Sequence, residues 1–279
     1  MLTAQELITD SVKLFSLPEV YLDLKRELED PNYSLQKVAE IIARDPALTT
    51  RLLRMVNSAF FGFGMEIDTV TQAVNMLGTQ QVHDLALATA VTDTFSDMPI
   101  EVMDMALFWR NSLHCGVLAR LLANHCNVLD GERLFVAGLL CDIGHLLMYQ
   151  KISDQMQLAL RHSKQLEIPL HQAEQELIGF DYAELGAELM RVWGLPTSLQ
   201  TTTRHHLLPG NAHDYTLQTA IVHIAAAFTV ARQQAPLSIE STLPIDPVAW
   251  QVTGLCNESL EPFWPEVELQ LAQTENLLF

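Results

Sequence analysis

Residues that can bind a metal ion recur at three places in the chain. His114 lies in the stretch FWRNSLHCGVLAR, Asp142 follows it by 28 residues as part of a Cys141-Asp142 doublet, and His205 and His206 are adjacent in TTTRHHLLPG. Imidazole, thiolate and carboxylate groups are the ligands that zinc takes in proteins. The three places could therefore form one divalent-metal site. The alternative for each histidine is a hydrogen-bonded core residue, which is the commoner role of a single histidine on an apolar helix.

Helices must position these residues, because helix signals run along the whole chain and alternating β patterns with hairpin turns are absent. An all-α bundle can bring single side chains from several helices to one interior site. The sequence therefore predicts an all-α protein, a multi-helix bundle with an N-terminal helical lobe. The signals for helix starts are the Thr3–Glu6 capping box, Ser34, Asp45-Pro46, Asp68, Asp181 and Thr216, and those for helix ends are Gly78 and Gly194.

The net charge of the chain indicates which partners to expect, and its cysteines indicate the cellular compartment. The chain has 279 residues, 49% of them hydrophobic, and a formal net charge of -18, so we expect neither nucleic acid nor an anionic membrane as a direct partner. No apolar run reaches the ~18–20 residues of a membrane span, and the N-terminus lacks a secretion signal. The four cysteines form no CxxC pair, which is typical of reduced thiols and predicts a cytoplasmic protein.

Six stretches follow one another along the chain: IIARDPALTTRLLRMVNSAFFG, DTVTQAVNMLG, FWRNSLHCGVLARLLA, FVAGLLCDIGHLLM, GFDYAELGAELMRVWGLP and RHH. Taken in this order, they resemble the HDOD family (HD-related output domain), a degenerate branch of the HD superfamily of metal-dependent phosphohydrolases. The resemblance covers roughly residues 10–232 and implies an HD-like helical fold. It predicts an N-terminal helical lobe over 1–98, an HD-derived lobe over 99–235 and a C-terminal helical extension over 236–279.

The resemblance also implies roles for the metal-binding residues. In an intact HD hydrolase, a histidine, a His-Asp doublet, further histidines and a late aspartate hold one or two divalent ions. By this comparison His114 keeps the first ligand and Asp142 keeps the aspartate of the doublet. One of His205 and His206 keeps the histidine pair.

Three other positions of this ligand set differ in this chain. Cys141 replaces the histidine of the doublet, Tyr182 stands where another histidine is expected, and Ala226 occupies the aspartate position after His223. Alanine offers no ligand, and a tyrosine with a pKa near 10 is neutral at pH 7. A two-metal hydrolase centre is therefore not expected. We expect a vestigial site with no cofactor, or at most a weak mononuclear site for zinc or another divalent ion.

We interpret the Cys141-Asp142 doublet as a remnant of such a site. Cys141 should be buried among apolar neighbours, and Gly144 should allow a neighbouring helix to approach closely. His145 is one turn away from Cys141 on the same face of the helix, and we expect it to be solvated.

The resemblance leaves three functions open. The first is a non-catalytic bacterial signal-transduction module that binds unidentified signalling proteins. The second is a metal-dependent phosphohydrolase acting on a nucleotide or cyclic dinucleotide, and the third is a pocket that binds a small anionic messenger without hydrolysis. The residues that could contact a ligand or phosphate are Arg110, Tyr182, Arg191 and Arg204.

A partner surface is predicted at the end of the stretch VNSAFFGF. Asn57, Phe60, Phe61 and Phe63 crowd one helix end and a glycine loop there. The alternative is structural: Asn57 ends the helix and the phenylalanines pack in the core of the lobe.

Overall fold

The computed structural model describes residues 3–11, 15–58, 61, 63–95, 103–234 and 243–278. Those residues form helices joined by turns, with no strand among them, so the predicted all-α class is confirmed. The helices are α1 Ala4–Ser11, α2 Glu19–Glu29, α3 Leu35–Ala43, α4 Pro46–Val56, α5 Val70–Leu77, α6 Thr79–Thr94, α7 Met105–His125, α8 Gly131–Leu140, α9 Ile143–Lys151, α10 Ser153–Leu166, α11 Leu170–Leu177, α12 Tyr182–Val192, α13 Thr197–His205, α14 Thr216–Gln234, α15 Pro247–Thr253, α16 Asn257–Leu260 and α17 Trp264–Leu278.

Local capping explains where several of these helices begin. The side chains of Ser34, Asp45 and Asp181 accept hydrogen bonds from backbone N–H groups in the first turns of α3, α4 and α12. One predicted start differs by a residue: α5 is capped by Thr69, which forms a reciprocal capping box with Gln72, and not by Asp68. A threonine with a glutamine three residues later satisfies two orphan N–H groups at once, which favours it over the preceding aspartate.

The chain divides into two compact units. One comprises Met1–Phe15 and Met98–Glu261, and the other Ser16–Asp97 and Pro262–Phe279. Residues 243–261 and 262–278 of the C-terminal segment belong to different units. Long-range packing accounts for this division, because α15 packs on α14 in the first unit whereas α17 packs on α4 in the second.

In the first unit, helices α7 and α8 pack with their backbones in contact. A Cβ atom added to Gly138 would lie 2.8 Å from the carbonyl oxygen of Cys115, and one added to Gly116 would lie 2.8 Å from the carbonyl oxygen of Phe135. Real Cβ atoms do not approach this closely, so both positions require glycine. This contact brings residue 115 of α7 close to the end of α8.

The predicted close approach at Gly144 is also present. A Cβ atom there would lie 1.9 Å from the carbonyl oxygen of Tyr182, so α9 and α12 touch through their backbones. Gly144 thereby sets the position of α12 and of the first side chain that it carries.

None of the helices in the described part of the chain combines the length and apolar character needed to cross a membrane.

Candidate functional site

Three side chains of the first unit converge where α8 meets α9 and α13 ends. Among the described residues, Cys141, Asp142 and His206 form a group whose ligand atoms all lie within 4.8 Å of one another. The Cys141 Sγ and Asp142 Oδ1 atoms are 3.7 Å apart, and His206 Nε2 lies 3.9 Å from the same Oδ1 atom. Cys141 and His206 are buried, whereas the Asp142 side chain is 36% exposed. Two of the three ligand residues are therefore buried, and the Asp142 carboxylate is the one that reaches solvent.

Hydrogen bonds fix the protonation of His206. Its Nδ1 atom lies 2.7 Å from the carbonyl oxygen of Thr203, and because a carbonyl can only accept, Nδ1 must carry the proton. The Nε2 lone pair then points into the site, where it accepts from the Tyr182 hydroxyl at 3.2 Å. Burial lowers the pKa of His206, although the charge of Asp142 opposes that shift. His206 is therefore a neutral imidazole.

Tyr182 covers this histidine from the first turn of α12. Burial, followed by the nearby charge of Asp142, raises the pKa of its hydroxyl well above the ordinary value, so the side chain is a neutral phenol. Its ring stacks on the imidazole of His145, with ring centroids 3.8 Å apart and planes inclined by 23°. Tyr182 is thus a hydrogen-bond donor to the site and not a metal ligand.

Glu174, on α11, contacts both Tyr182 and His145. Its carboxylate is fully buried; Oε2 accepts from the Tyr182 backbone N–H at 3.0 Å, and Oε1 lies 3.2 Å from His145 Nε2. Burial by itself lowers the pKa of His145, but the hydrogen bond and charge of Glu174 outweigh it and raise that pKa overall. The expected solvated role of His145 is wrong, because its side chain is 16% exposed and is held by Glu174 and Tyr182.

Cys141 contacts a second thiol that sequence reasoning did not single out. The Sγ atoms of Cys115 and Cys141 are 3.9 Å apart, and Cys141 Sγ also lies 3.2 Å from the carbonyl oxygen of Gly138. Both cysteines are buried, as expected for Cys141. The contact with Cys115 and then burial raise the pKa of the Cys141 thiol well above its usual value. No local spacing signals this pair, since it depends on the backbone contact between α7 and α8.

His114 and His205 lie outside the group of three. His114 is buried, and its Nδ1 donates to the carbonyl oxygen of Arg110 one turn earlier at 2.7 Å. His205 is only partly buried; burial, with help from Arg204, lowers the pKa of its imidazole. Of the adjacent pair, His206 is therefore the histidine that faces the site, while a ligand role for His114 stays a prediction.

His223 and the carbonyl oxygen of His206 form a further supporting contact. His223 Nδ1 donates to that oxygen at 2.7 Å, and its Nε2 accepts from the Asp246 backbone N–H at 2.9 Å. Both ring nitrogens are used within the fold. His223 consequently orients the segment that carries His206 and has no lone pair left for an ion.

The residues present do not fit a two-metal hydrolase centre. Two ions held ~3.5–4 Å apart need a full set of ligands, and two positions of the set expected from the HD comparison offer none. Tyr182 is a neutral phenol engaged with His206, and the side chain at 226 is a methyl group. Cys141, Asp142 and His206 could hold a single ion, for which thiolate and imidazole favour zinc over magnesium or manganese.

Two of the arginines predicted as phosphate contacts lie next to the same carboxylate. Arg191 makes two hydrogen bonds to the Glu188 carboxylate, at 2.9 and 2.7 Å, and Arg204 lies 4.0 Å from the same carboxylate. Arg110 is exposed on α7. Arg204 and Glu188 line a surface cavity of about 340 Å³ together with Thr3, Ala4, Gln5, Gly179, Phe180 and Glu184. With two glutamates in its wall, this cavity offers little attraction for a phosphate.

The predicted partner surface lies in the second unit. The Asn57 side chain, at the end of α4, donates to the carbonyl oxygens of Leu53 and Ile67 and accepts from the Ile67 N–H. Asn57 is therefore the expected helix-terminal residue, and its side chain holds the backbone of Ile67 in place. Phe61 and Phe63 are partly exposed, with parallel rings 6.0 Å apart, and Phe60 lies outside the described residues.

Comparison with known proteins places these observations in a family. Residues 14–209 match the HDOD domain family model. An uncharacterized protein of Treponema pallidum (strain Nichols) is 26% identical over 204 residues, which cover 71% of this chain but only 39% of that protein. The chain thus spans well under half the length of this curated relative.

Solved structures show the same fold at low identity. A proposed phosphohydrolase of Shewanella amazonensis SB2B has a TM-score of 0.77 and 23% identity, with 98% of each chain covered. A proposed signal transduction protein of Marinobacter aquaeolei VT8 has a TM-score of 0.71 and 20% identity, with 97% of this chain and 61% of that chain covered.

Proposed function

This chain belongs to the HDOD domain family, and from that premise we propose that it is a signal-transduction module that works by binding a partner protein and does not hydrolyse a substrate. The HD-type site is the place where hydrolysis would occur. Its side chains are arranged for mutual hydrogen bonding, which supports a binding role for the fold as a whole.

One observation carries the proposal: the Tyr182 hydroxyl donates to His206 Nε2 at 3.2 Å. The lone pair that a metal would need is therefore engaged by a neutral phenol. Cys141, at the neighbouring ligand position, is a buried thiol whose raised pKa opposes the thiolate form. A hydrolase that activates water on a metal needs these ligands free and deprotonated.

A phosphohydrolase is the second candidate function, and the cluster of Cys141, Asp142 and His206 is the observation that favours it. Phosphoryl transfer also needs cationic groups directed at the developing charge. Here Arg191 and Arg204 both lie next to the Glu188 carboxylate, whose negative charge offsets the attraction they would exert on a phosphoryl group. The binding role is therefore the better supported of the two.

Hydrolysis assays test this choice. Protein supplied in turn with Mn²⁺, Mg²⁺, Fe²⁺ and Zn²⁺ is offered phosphomonoesters, nucleotides and cyclic dinucleotides, beside an Asp142→Ala variant. We expect wild type and variant to be equal to the blank with every metal. Turnover that disappears in Asp142→Ala would overturn the binding role in favour of the hydrolase.

A second experiment tests the predicted partner surface. Proteins crosslinked to wild type in the producing cells are compared with those crosslinked to a Phe61→Ser/Phe63→Ser variant and to Leu129→Ser, whose position is 97% exposed. We expect the phenylalanine variant to lose a specific crosslink that the Leu129→Ser control keeps. Identical crosslinks in all three proteins would show that the phenylalanines only pack within their lobe.

A further inference from the structure

A cavity of about 90 Å³ lies where α8, α13 and α14 meet in the first unit. We propose that it binds a small zwitterion of the α-amino-acid class. This inference goes beyond the proposed function, because it gives the chain a small-molecule ligand at a place other than the HD-type site. The polar residues of the cavity wall are Asp130, Arg133, Ser198, Thr202, Tyr215 and Gln218.

The cavity and the HD-type site lie at opposite ends of the same two helices. Asp130 directly precedes α8, and Cys141 directly follows it. Ser198 is in the first turn of α13, and His206 follows its last residue. At 1.5 Å per residue each helix is about 14–15 Å long, so the two sites are about that far apart. The ligand would therefore contact two helices that also carry residues of the HD-type site.

Two opposite charges line the cavity. Asp130 is exposed, and its side chain makes no capping hydrogen bond to α8. Arg133 is half-buried and lies three residues later, which places it on the same side of that helix. Asp130 would repel a simple anion, and Arg133 would repel a simple cation. A molecule with both an ammonium and a carboxylate group matches the pair.

The first turn of α13 adds to the attraction for the carboxylate group. Its N-cap residue, Pro196, makes no side-chain hydrogen bond to that turn. The N-terminus of a helix carries a partial positive charge that favours anionic groups. This charge acts beside Ser198 on the cavity wall, so we expect the carboxylate to lie between α13 and Arg133, with the ammonium group at Asp130.

Hydroxyl groups of the wall have hydrogen-bonding capacity to offer. The Ser198 Oγ atom is buried and has no hydrogen-bond partner among the described residues, which is rare for a buried polar atom. Thr202 is 2% exposed, and no hydrogen bond joins its hydroxyl to another described residue. Because a hydroxyl can both donate and accept, it suits either end of a zwitterion.

The volume of the cavity limits the size of the ligand. At about 90 Å³ it is smaller than the ~150 Å³ cavity that holds a benzene ring, so the ligand has at most about six non-hydrogen atoms. Leu134, Ala137 and Leu199 are buried and provide the apolar part of the wall. This combination fits glycine or alanine and excludes amino acids with large side chains.

Tyr215 stands at the opening of the cavity in an unusual backbone conformation. Its φ of 59° lies in the left-handed region, which bulky residues rarely adopt. Such conformations concentrate at functional sites, where the surrounding structure maintains them. The side chain of Tyr215 is 40% exposed and also lines the cavity, so it can contact a ligand as it enters.

NMR titration of ¹⁵N-labelled protein tests the inference. The probes are glycine and L-alanine, with L-leucine as the probe that is too large, propionate as the carboxylate alone and ethylamine as the amine alone. The variants are Asp130→Asn, which keeps a good N-cap residue, and Thr202→Val. Asp154→Asn is the matched control, because Asp154 is an exposed aspartate outside the cavity wall. Circular dichroism and urea unfolding verify that each variant is folded.

We expect glycine or L-alanine to shift the amide signals of Arg133 and Ser198 saturably, and the other three probes to bind at least tenfold more weakly. Asp130→Asn should weaken L-alanine binding about tenfold, since it removes a charged partner, and should tighten propionate binding. Thr202→Val should weaken L-alanine binding about threefold. Asp154→Asn should bind like wild type.

Several results would overturn the inference. The first is the absence of saturable shifts with both small amino acids, which would leave the cavity to water or to a side chain of a partner protein. The second is propionate or ethylamine binding as tightly as L-alanine in wild type, and the third is unchanged L-alanine affinity in a folded Asp130→Asn variant. Each of these results leaves the proposed function standing, because hydrolysis is assayed at the HD-type site.

Discussion

Glu174 accepts a hydrogen bond from the Tyr182 backbone N–H at 3.0 Å, and its other carboxylate oxygen faces His145, whose ring stacks on Tyr182. A fully buried carboxylate thus holds the residue that covers His206. The position at which the HD comparison expects a histidine ligand is occupied by a tyrosine with its own supporting residues. The arrangement is a packed hydrogen-bonded cluster and not merely a site that lacks ligands.

The His145–Glu174 pair makes stability depend on pH. The folded-state pKa of His145 is raised, so the folded chain keeps a proton that the unfolded chain releases above its reference pKa of about 6.5. This contribution is fully present below about pH 6.5 and is lost as pH rises through the folded pKa. Between pH 6 and pH 8, the urea midpoint of wild type should fall more than that of Glu174→Gln.

Histidine NMR titration checks the same pair directly. The His145 midpoint should lie above about 6.5 in wild type and fall in Glu174→Gln. A His145 midpoint that the variant leaves unchanged would show that Glu174 does not control the protonation of this ring.

Gly144 should tolerate no side chain. In Gly144→Ala the new Cβ atom would meet the Tyr182 carbonyl oxygen at 1.9 Å, and the opposing atom belongs to backbone, so α9 and α12 must separate. We expect a loss of more than about 3 kcal/mol in the free energy of unfolding, measured by urea denaturation. Gly64→Ala is the matched control, because nothing lies within 4 Å of a Cβ atom there. Equal stability of the two variants would contradict the close packing of α9 on α12.

Cys141 should react slowly with alkylating reagents in the folded protein. Its raised pKa, from the contact with Cys115 and from burial, disfavours the thiolate that attacks the reagent. Cys256 is exposed and provides an internal standard in the same sample. Mass spectrometry over time should show Cys256 labelled first, and labelling of Cys141 at the same rate would contradict its burial.

Replacement of Cys141 should be tolerated in the metal-free protein. Cys141→Ala removes a small buried group without leaving a charge unpaired, so we expect a loss of about 1–2 kcal/mol in the free energy of unfolding. Urea denaturation in the presence of a chelator measures this value. A loss well above that range would mean that the thiol is needed for folding itself.

Restoration of the HD ligand types should restore binding of a harder metal. Cys141→His alone adds one ligand to an incomplete set and should leave Mn²⁺ binding undetectable by titration calorimetry. The triple variant Cys141→His/Tyr182→His/Ala226→Asp should bind Mn²⁺ measurably, because imidazole and carboxylate suit that ion. Absence of binding by a folded triple variant would show that these three positions are not the ones that determine the metal chemistry.

Features set by neighbouring residues were predictable from the sequence, whereas features set by helix packing were not. Ser34, Asp45 and Asp181 cap their own first turns, so sequence pattern alone located those helices. Cys115 reaches the site through the contact of α7 with α8. Glu174, on α11, reaches it through its contacts with His145 of α9 and with the first residue of α12, Tyr182. The division of the C-terminal segment between two units likewise depends on long-range packing.

The choice between His205 and His206 shows the same limit. The two residues are adjacent, and the ligand comparison could assign either one to the site. Consecutive residues at the end of α13 point in different directions. His206 is directed at Tyr182, whereas His205 is partly exposed.

Metal analysis of the purified protein shows directly whether the HD-type site holds a catalytic pair of ions. The protein is prepared without chelator and without a metal-affinity tag, and its metal content per chain is measured by mass spectrometry. We expect at most one ion per chain, of the zinc class, and neither manganese nor iron. Two equivalents of manganese or iron per chain, lost in Asp142→Ala, would contradict this expectation and identify the site as a working two-metal centre.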